Sequence, residues 1–267
     1  MERRRIDSPK NPLVKELVRL RERRERDRSG RFLIEGTREV ERALSAGVPL
    51  NELLVAPELM RPEGLALASR VESSKIRVTE LGGTAFGRVS MREHPDGVLA
   101  VAPTWRTELG ELELGQAPLL LVLEGLEKPG NLGALLRTTD AVDADAVFVT
   151  GKGTDPFNPN VIRSSMGSVF SRPLVTAGES ELQEFLRDHD VRVIAAAPAA
   201  KKPYWDADLR GAVALVLGTE HQGLGDGWLN GAAERVHVPM SGSADSLNVA
   251  TTGALLLYEA LRQRRSN

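Results

Sequence analysis

Short apolar runs and amphipathic stretches alternate along this chain from one end to the other. Toward the amino end, "NPLVKELVRLRERRE" spaces Leu and Val at helical intervals and "RFLIEG" reads as a strand. "TREVERALSAG" reads as a helix ending at Gly47, and "LNELLVAP" as the next strand. "GLALASRVESS", "IRVTEL", "TAFGRVS" and "GVLAVAP" continue the alternation, which predicts a small α/β domain over residues 1–105. "PTWRTELGELELGQAP" has no clear period and carries Gly and Pro, so residues 106–117 read as a linker to a second domain, 118–267.

In that second segment, apolar runs lie at 119–126, 145–150, 191–197, 212–218 and 235–239, with a weaker one near 173–176. Helical patterns at 131–143, 160–170 and 180–189 separate several of them, and "LNVATTGALLLYEALRQRR" forms a long closing helix. This is the pattern of a largely parallel sheet covered by helices. Within 131–143, Leu132, Leu135, Leu136, Thr139 and Val142 make a stripe suited to burial. Arg137 lies on another face, among Gly133, Ala134, Asp140 and Ala141. An ion pair with Asp140 on a wet helix face is the ordinary explanation for such an arginine. Asn131, in the preceding Pro-Gly-Asn turn, suits a helix cap.

Ligands of parallel α/β sheets sit beyond the carboxyl ends of the strands. Three loops there combine Gly, Ser or Asn with charged groups: "EKPGNLGALLR", "GTEHQGLGDG" and "MSGSADSLN". The glycines of the second, at 218, 223 and 225, fit neither GxGxxG nor GxxxxGK[ST]. "VTGKGTD" places Gly, not Ser or Thr, after Lys152 and fails as a P-loop as well. The strand at 145–150 ends in Thr150-Gly151 rather than in an acid. Phosphate-loop nucleotides and Rossmann cofactors are therefore disfavoured.

Composition and charge change this picture in a few places. The chain has 267 residues, no cysteine and four scattered histidines, so a thiolate site is excluded and a transition-metal site is not expected. A cysteine-free chain suits a reducing compartment, and no run approaches the ~20 apolar residues that span a bilayer; a cytoplasmic protein is expected. The net charge of −2 hides an asymmetry: residues 1–42 hold fourteen Lys and Arg against nine Asp and Glu. "RLRERRERDRSGR" is rich in guanidinium groups, which donate paired hydrogen bonds to phosphate. A solvated helix laced with Glu–Arg pairs is the commoner meaning of such a run.

Taken together, "EKPGNLGALLR", "LVLGTEHQGLG" and "VHVPMSGSADSLNVATTGALLLYE" resemble, in order and spacing, the three signature motifs of the SpoU (TrmH-like) branch of SPOUT RNA methyltransferases. "DPFNPNVIRSSMGSVF" resembles that family's middle segment. The opening "SPKNPLVKELVRL…GRFLIEGTREVERALSAG" is similar to the L30e-like RNA-binding domain of its ribosomal-RNA members. The resemblance implies an α/β fold whose C-terminal SPOUT domain is a trefoil knot, a homodimer formed through that domain, and no metal. It implies methylation of a ribose 2′-hydroxyl of RNA by S-adenosyl-L-methionine. Ribosomal RNA, in a housekeeping or antibiotic-resistance role, is the expected substrate. A transfer-RNA ribose methyltransferase and a catalytically silent RNA-binding relative are the alternatives.

The resemblance also assigns residues. Arg137 matches the catalytic arginine, with Asn131, Glu220, Ser246 and Asn248 around it. A guanidinium is effectively always protonated, so stabilising developing alkoxide charge asks less of Arg137 than proton abstraction would. Leu217, Gly218 and Thr219 from one loop and Val238, Met240 and Leu247 from another would hold the methyl donor. Arg23, Arg24, Arg26 and Arg163 are expected to contact RNA. The chain departs from the family pattern at Lys128, where an acid is usual, at His221, and at Thr251 and Thr252.

Overall fold

The computed structural model describes residues 4–219 and 223–265. These form two compact units, Met1–Trp105 with Asp155–Ser171, and Arg106–Thr154 with Arg172–Asn267. In chain order the first unit contains β1 (Arg4–Ile6), α1 (Pro12–Arg19), α2 (Arg23–Ser29), β2 (Arg31–Glu35) and α3 (Thr37–Ser45). It continues with β3 (Glu52–Val55), α4 (Pro62–Glu72), β4 (Arg77–Leu81), α5 (Gly83–Val89) and β5 (Val98–Pro103). Among the described residues its sheet runs β1-β4-β3-β5-β2, with β5 antiparallel to both neighbours. Val14 and Leu17 of α1 and Leu20 just after it pack with Leu33, Leu54, Leu99 and Phe86 as one core.

The second unit opens with β6 (Leu119–Glu124), α6 (Pro129–Ala141) and β7 (Ala146–Thr150). The chain then gives α7 (Pro159–Ser164) to the first unit. It resumes the second with β8 (Leu174–Thr176), α8 (Glu179–Asp188), β9 (Arg192–Ala196), β10 (Lys202–Pro203) and β11 (Val213–Leu217). The last elements are α9 (Asp226–Gly231), β12 (Glu234–His237) and α10 (Val249–Arg265). Every pairing in the order β10-β12-β9-β11-β6-β7-β8 is parallel. Leu120, Val122, Phe148 and Val216 share a core with Leu182 and Leu186 of α8 and Trp228 of α9. Helices α6 and α10 pack on each other, and α10 also packs on β11. So β12 lies beyond β9, and the closing helix returns to the middle of the sheet.

Three expectations need correction. The helical pattern beginning at Asn11 is two helices, not one, because the chain turns over residues 20–22. The side chain of Arg26 takes the carbonyls that a continued helix would have bonded: its Nη1 donates to Leu20 O at 2.8 Å and to Arg21 O at 2.7 Å. Residues 106–117 are not a free linker, since Leu109 is buried in the second unit's core with Leu112 and Leu114 packed around it. Residues 155–171, read from sequence as part of the second domain, pack with the first. Phe157 lies 4.8 Å from Phe32 and 4.7 Å from Trp105 between ring centres, and Phe170 completes the cluster.

A buried ion pair holds that segment. Arg26, 2% exposed, donates from Nε to Asp155 Oδ2 at 2.7 Å, and its Nη2 lies 2.6 Å from the same oxygen. Asp155 Oδ1 accepts from Phe157 N at 2.8 Å, so the carboxylate is bonded at both oxygens. Removing one partner would strand the other charge in the interior. Arg26→Met or Asp155→Leu alone should destabilise the first unit by about 3 kcal/mol, and the double variant should lose less than the sum of the two. Amide exchange in β2 measures this, and single variants exchanging like the wild type would remove the pair from the unit's stability.

Candidate functional site

In the second unit the register of parallel strands brings particular carboxyl ends together. Leu217 of β11 stands opposite Leu123 of β6, Val216 opposite Ala195 of β9, and Val236 of β12 opposite Ala196. The chain leaving β9, β11 and β12 therefore emerges at one edge. These segments and the start of α10 enclose a cavity of about 370 Å³, within the usual range for small-molecule sites.

All six residues expected to hold the methyl donor line that cavity. Leu217, Gly218 and Thr219 come from the end of β11, and Val238, Met240 and Leu247 from the long loop after β12. Ser246 lines it too, together with Asp245 and His237. A side chain at Gly218 would drive its Cβ into the carbonyl of Gly223, so only glycine lets the two limbs of that loop approach. Thr219 and Gly223 exchange backbone hydrogen bonds of 3.1 Å in both directions. His237 Nδ1 lies 3.1 Å from the carbonyl of Lys202, which directs the other ring nitrogen away from that strand.

One part of the wall was not foreseen. Ala196, Ala197, Pro198 and Ala199, at and directly after the end of β9, also line the cavity. Their only signal in the sequence is a run of small residues following a strand. Such a run brings backbone close to a ligand without offering chemistry of its own.

Of the other expected catalytic residues, Asn131 and Asn248 come together at the starts of two helices, and Arg137 lines no part of the cavity. Asn131 is not the cap of α6: Lys128 occupies that position, Pro129 begins the helix, and Asn131 lies in its first turn. Its Oδ1 instead accepts from Nδ2 of Asn248 at 3.2 Å. Nor does Ser246 cap α10. That helix starts at Val249, and Asn248 Oδ1 accepts from Ala250 N at 2.8 Å while Asn248 O accepts from Thr252 N at 2.9 Å. The Asn131–Asn248 bond thus joins the start of α6 to the start of α10. The helices are close because Gly253 faces them: a Cβ there would overlap Leu135 and press on Leu217.

Arg137 is exposed on α6 and does not line the donor cavity. The five stripe residues Leu132, Leu135, Leu136, Thr139 and Val142 are all buried, leaving the guanidinium on the open side. Glu220 and His221 lie outside the described residues. Thr252 lines the cavity, whereas Thr251 borders a separate groove beside Tyr204 and Tyr258.

The four arginines expected to meet RNA fall in the first unit and do not behave alike. Arg24 and Arg163 are exposed, and Arg23, also exposed, sits 3.7 Å from Asp27. Arg26 does not belong with them: it is buried against Asp155 and cannot reach a ligand without breaking the fold. Among the described residues there is no cluster of His, Cys, Asp and Glu suited to a metal, and no helix long and apolar enough to cross a membrane.

Comparison with known proteins places this geometry. The model of the SpoU rRNA Methylase family matches residues 118–258, and that of the MRM3-like substrate binding domain matches residues 11–100. The 23S rRNA (guanosine(2553)-2'-O)-methyltransferase RlmP of Bacillus subtilis (strain 168) is 34% identical over 254 residues, covering 95% of this chain and 97% of its own. A crystal structure of an RNA 2'-O ribose methyltransferase superposes with a TM-score of 0.85 at 46% identity, over 97% of this chain and 98% of the other. The AdoMet-bound rRNA methyltransferase from Sinorhizobium meliloti superposes with a TM-score of 0.89 at 28% identity, over 97% of each chain. These likenesses carry the expected SPOUT type of α/β fold, preceded by a substrate-binding domain. The chain belongs to the SpoU rRNA methylase family.

Proposed function

We propose that this protein methylates a ribose 2′-hydroxyl of ribosomal RNA in the cytoplasm, with S-adenosyl-L-methionine held in the cavity at the ends of β9, β11 and β12. The observation that carries the reading is the convergence of two loops that leave different strands. Leu217, Gly218 and Thr219 share one small-molecule cavity with Val238, Met240 and Leu247, all six assigned to the donor by their motifs. The wall fits an adenosyl group: Leu217, Val238 and Leu247 offer apolar surface, and Gly218 and the alanines after β9 leave backbone accessible. Relatives named for 23S rRNA, and a solved relative carrying AdoMet, support ribosomal RNA as substrate and this donor.

The donor supplies a sulfonium methyl group and needs no metal for its transfer. What the protein must supply is a ribose oxygen in line with that methyl, and compensation for the negative charge that develops on the oxygen. Arg137, exposed beside the small residues Gly133 and Ala134, can take an RNA phosphate and stabilise the developing alkoxide. The proton passes to that phosphate or to water, because a guanidinium does not accept it. Asn131 and Asn248, bonded to each other, hold the helix of Arg137 against the helix that walls the cavity. Ser246 stands on the cavity wall, where its hydroxyl is available to the bound donor or ribose.

The first unit, with exposed Arg23, Arg24 and Arg163, positions the RNA. Two copies of the chain associate through the second unit. The exposed face of α10 suits that association: Tyr258 is 52% exposed beside Leu255, Ala254 and Tyr204, around a shallow groove.

Arg137→Ala should lower kcat for methyl transfer by about 10²–10³-fold, the scale of losing one preorganised charge donor, and leave donor affinity within about twofold. The triple variant Arg23→Ala, Arg24→Ala, Arg163→Ala should instead raise the KM for RNA. Its salt dependence should flatten by roughly 0.7–0.9 for each phosphate that is no longer neutralised. Steady-state methylation of rRNA fragments separates the two, and an active Arg137→Ala enzyme would remove that residue from the mechanism. For the assembly, Tyr258→Glu should halve the solution mass seen by light scattering. A wild-type protein that is already monomeric would contradict the dimer.

A further inference from the structure

The loop after β11 carries three of the donor-cavity residues, and its two limbs are joined by the backbone bonds between Thr219 and Gly223. The return limb of that loop, at Gly225, is also held by a side chain from another strand. Glu124, the last residue of β6, is half-buried, and its Oε2 accepts from Gly225 N at 2.8 Å. The contact is tight, since a Cβ on Gly225 would lie 3.0 Å from the other carboxylate oxygen. The neighbouring Gly125, at φ +63°, brings its backbone under the methyl group of Thr219. A two-residue step at the end of β6 therefore touches the donor loop on both limbs.

We infer that Glu124 is a positioning residue for the methyl donor: its carboxylate clamps the return limb of the 218–225 loop and so fixes Gly218 and Thr219 on the cavity wall. This rests on the donor-cavity reading above and adds a residue that lies outside the cavity itself. The register explains why the position works. Leu217 pairs with Leu123, so the residue after Leu123 stands where the donor loop leaves the sheet. A carboxylate there meets a backbone N–H at the loop's far end, and a charged acceptor makes the stronger kind of hydrogen bond. An ordinary cap on the short helix that starts after Gly225 would use the same bond, but would leave the donor loop indifferent to its loss.

Two variants of matched length separate these roles. Glu124→Gln keeps an acceptor in place and Glu124→Met does not. In the free protein, amide exchange of the segment 217–226 should be at least tenfold faster in Glu124→Met and close to wild type in Glu124→Gln, with exchange in β6 and β7 unaltered. By calorimetry, S-adenosyl-L-methionine should bind Glu124→Met about tenfold more weakly, and Glu124→Gln should recover most of that loss. Unaltered exchange and affinity in Glu124→Met would overturn the inference, as would an equal defect in both variants. A wild-type protein that binds no donor would defeat the cavity reading instead, and the exchange measurement would still decide whether Glu124 clamps the loop.

Discussion

Strands β12, β9, β11 and β6 run parallel and nearly in register, so their carboxyl ends open on one edge of the sheet. An antiparallel strand among them would have sent one of the cavity loops to the opposite edge. The placement of β12 beyond β9 matters as much. It makes the chain come back across the sheet's edge before α10 begins, and that returning segment supplies Val238, Met240 and Leu247. Glycine at 253 then lets α10 settle on α6 and β11 closely enough for Asn248 to reach Asn131. The cavity, the asparagine bridge and the helix of Arg137 thus follow from one pattern of strand pairing.

The first unit depends on a different interaction. Its arginine-rich stretch reads as a uniform basic surface, but one of its guanidinium groups has been turned inward. Arg26 bonds the carbonyls where one helix stops and the next begins, and it also bonds Asp155, which lies 129 residues further along the chain. Around it, Phe157 and Phe170 pack on Phe32, so the segment after β7 is part of the same core. Arg23 and Arg24 of that stretch stay in solvent, where a polyanion can meet them.

Much of this was legible in the residues. Short apolar runs and amphipathic stretches marked most strands and helices, because a covered strand buries both faces and a surface helix buries one, and both constraints are local. The six donor residues that line the cavity could be picked out through their likeness to the family's second and third motifs, and not through any periodicity. What escaped reading has physical reasons as well. The two-residue strand β10 is too short to show a period. Ala196 to Ala199 carry no polar group to attract notice. Whether Arg26 faces solvent or Asp155 depends on an encounter between distant parts of the chain, and the same holds for the clustering of residues 155–171 with the first unit. Asn131 suited a helix cap, but Lys128 takes that position before Pro129, which leaves the Asn131 side chain to meet Asn248.

The central claim is that methyl donor and cationic helix belong to one reaction centre built on the carboxyl edge of the parallel sheet. A crystal soaked with S-adenosyl-L-methionine tests it most directly. The account predicts density for the adenosyl group between Leu217 and Leu247, with the donor's sulfur turned toward the start of α6. Density lodged at any other site, or none at saturating donor, would contradict it.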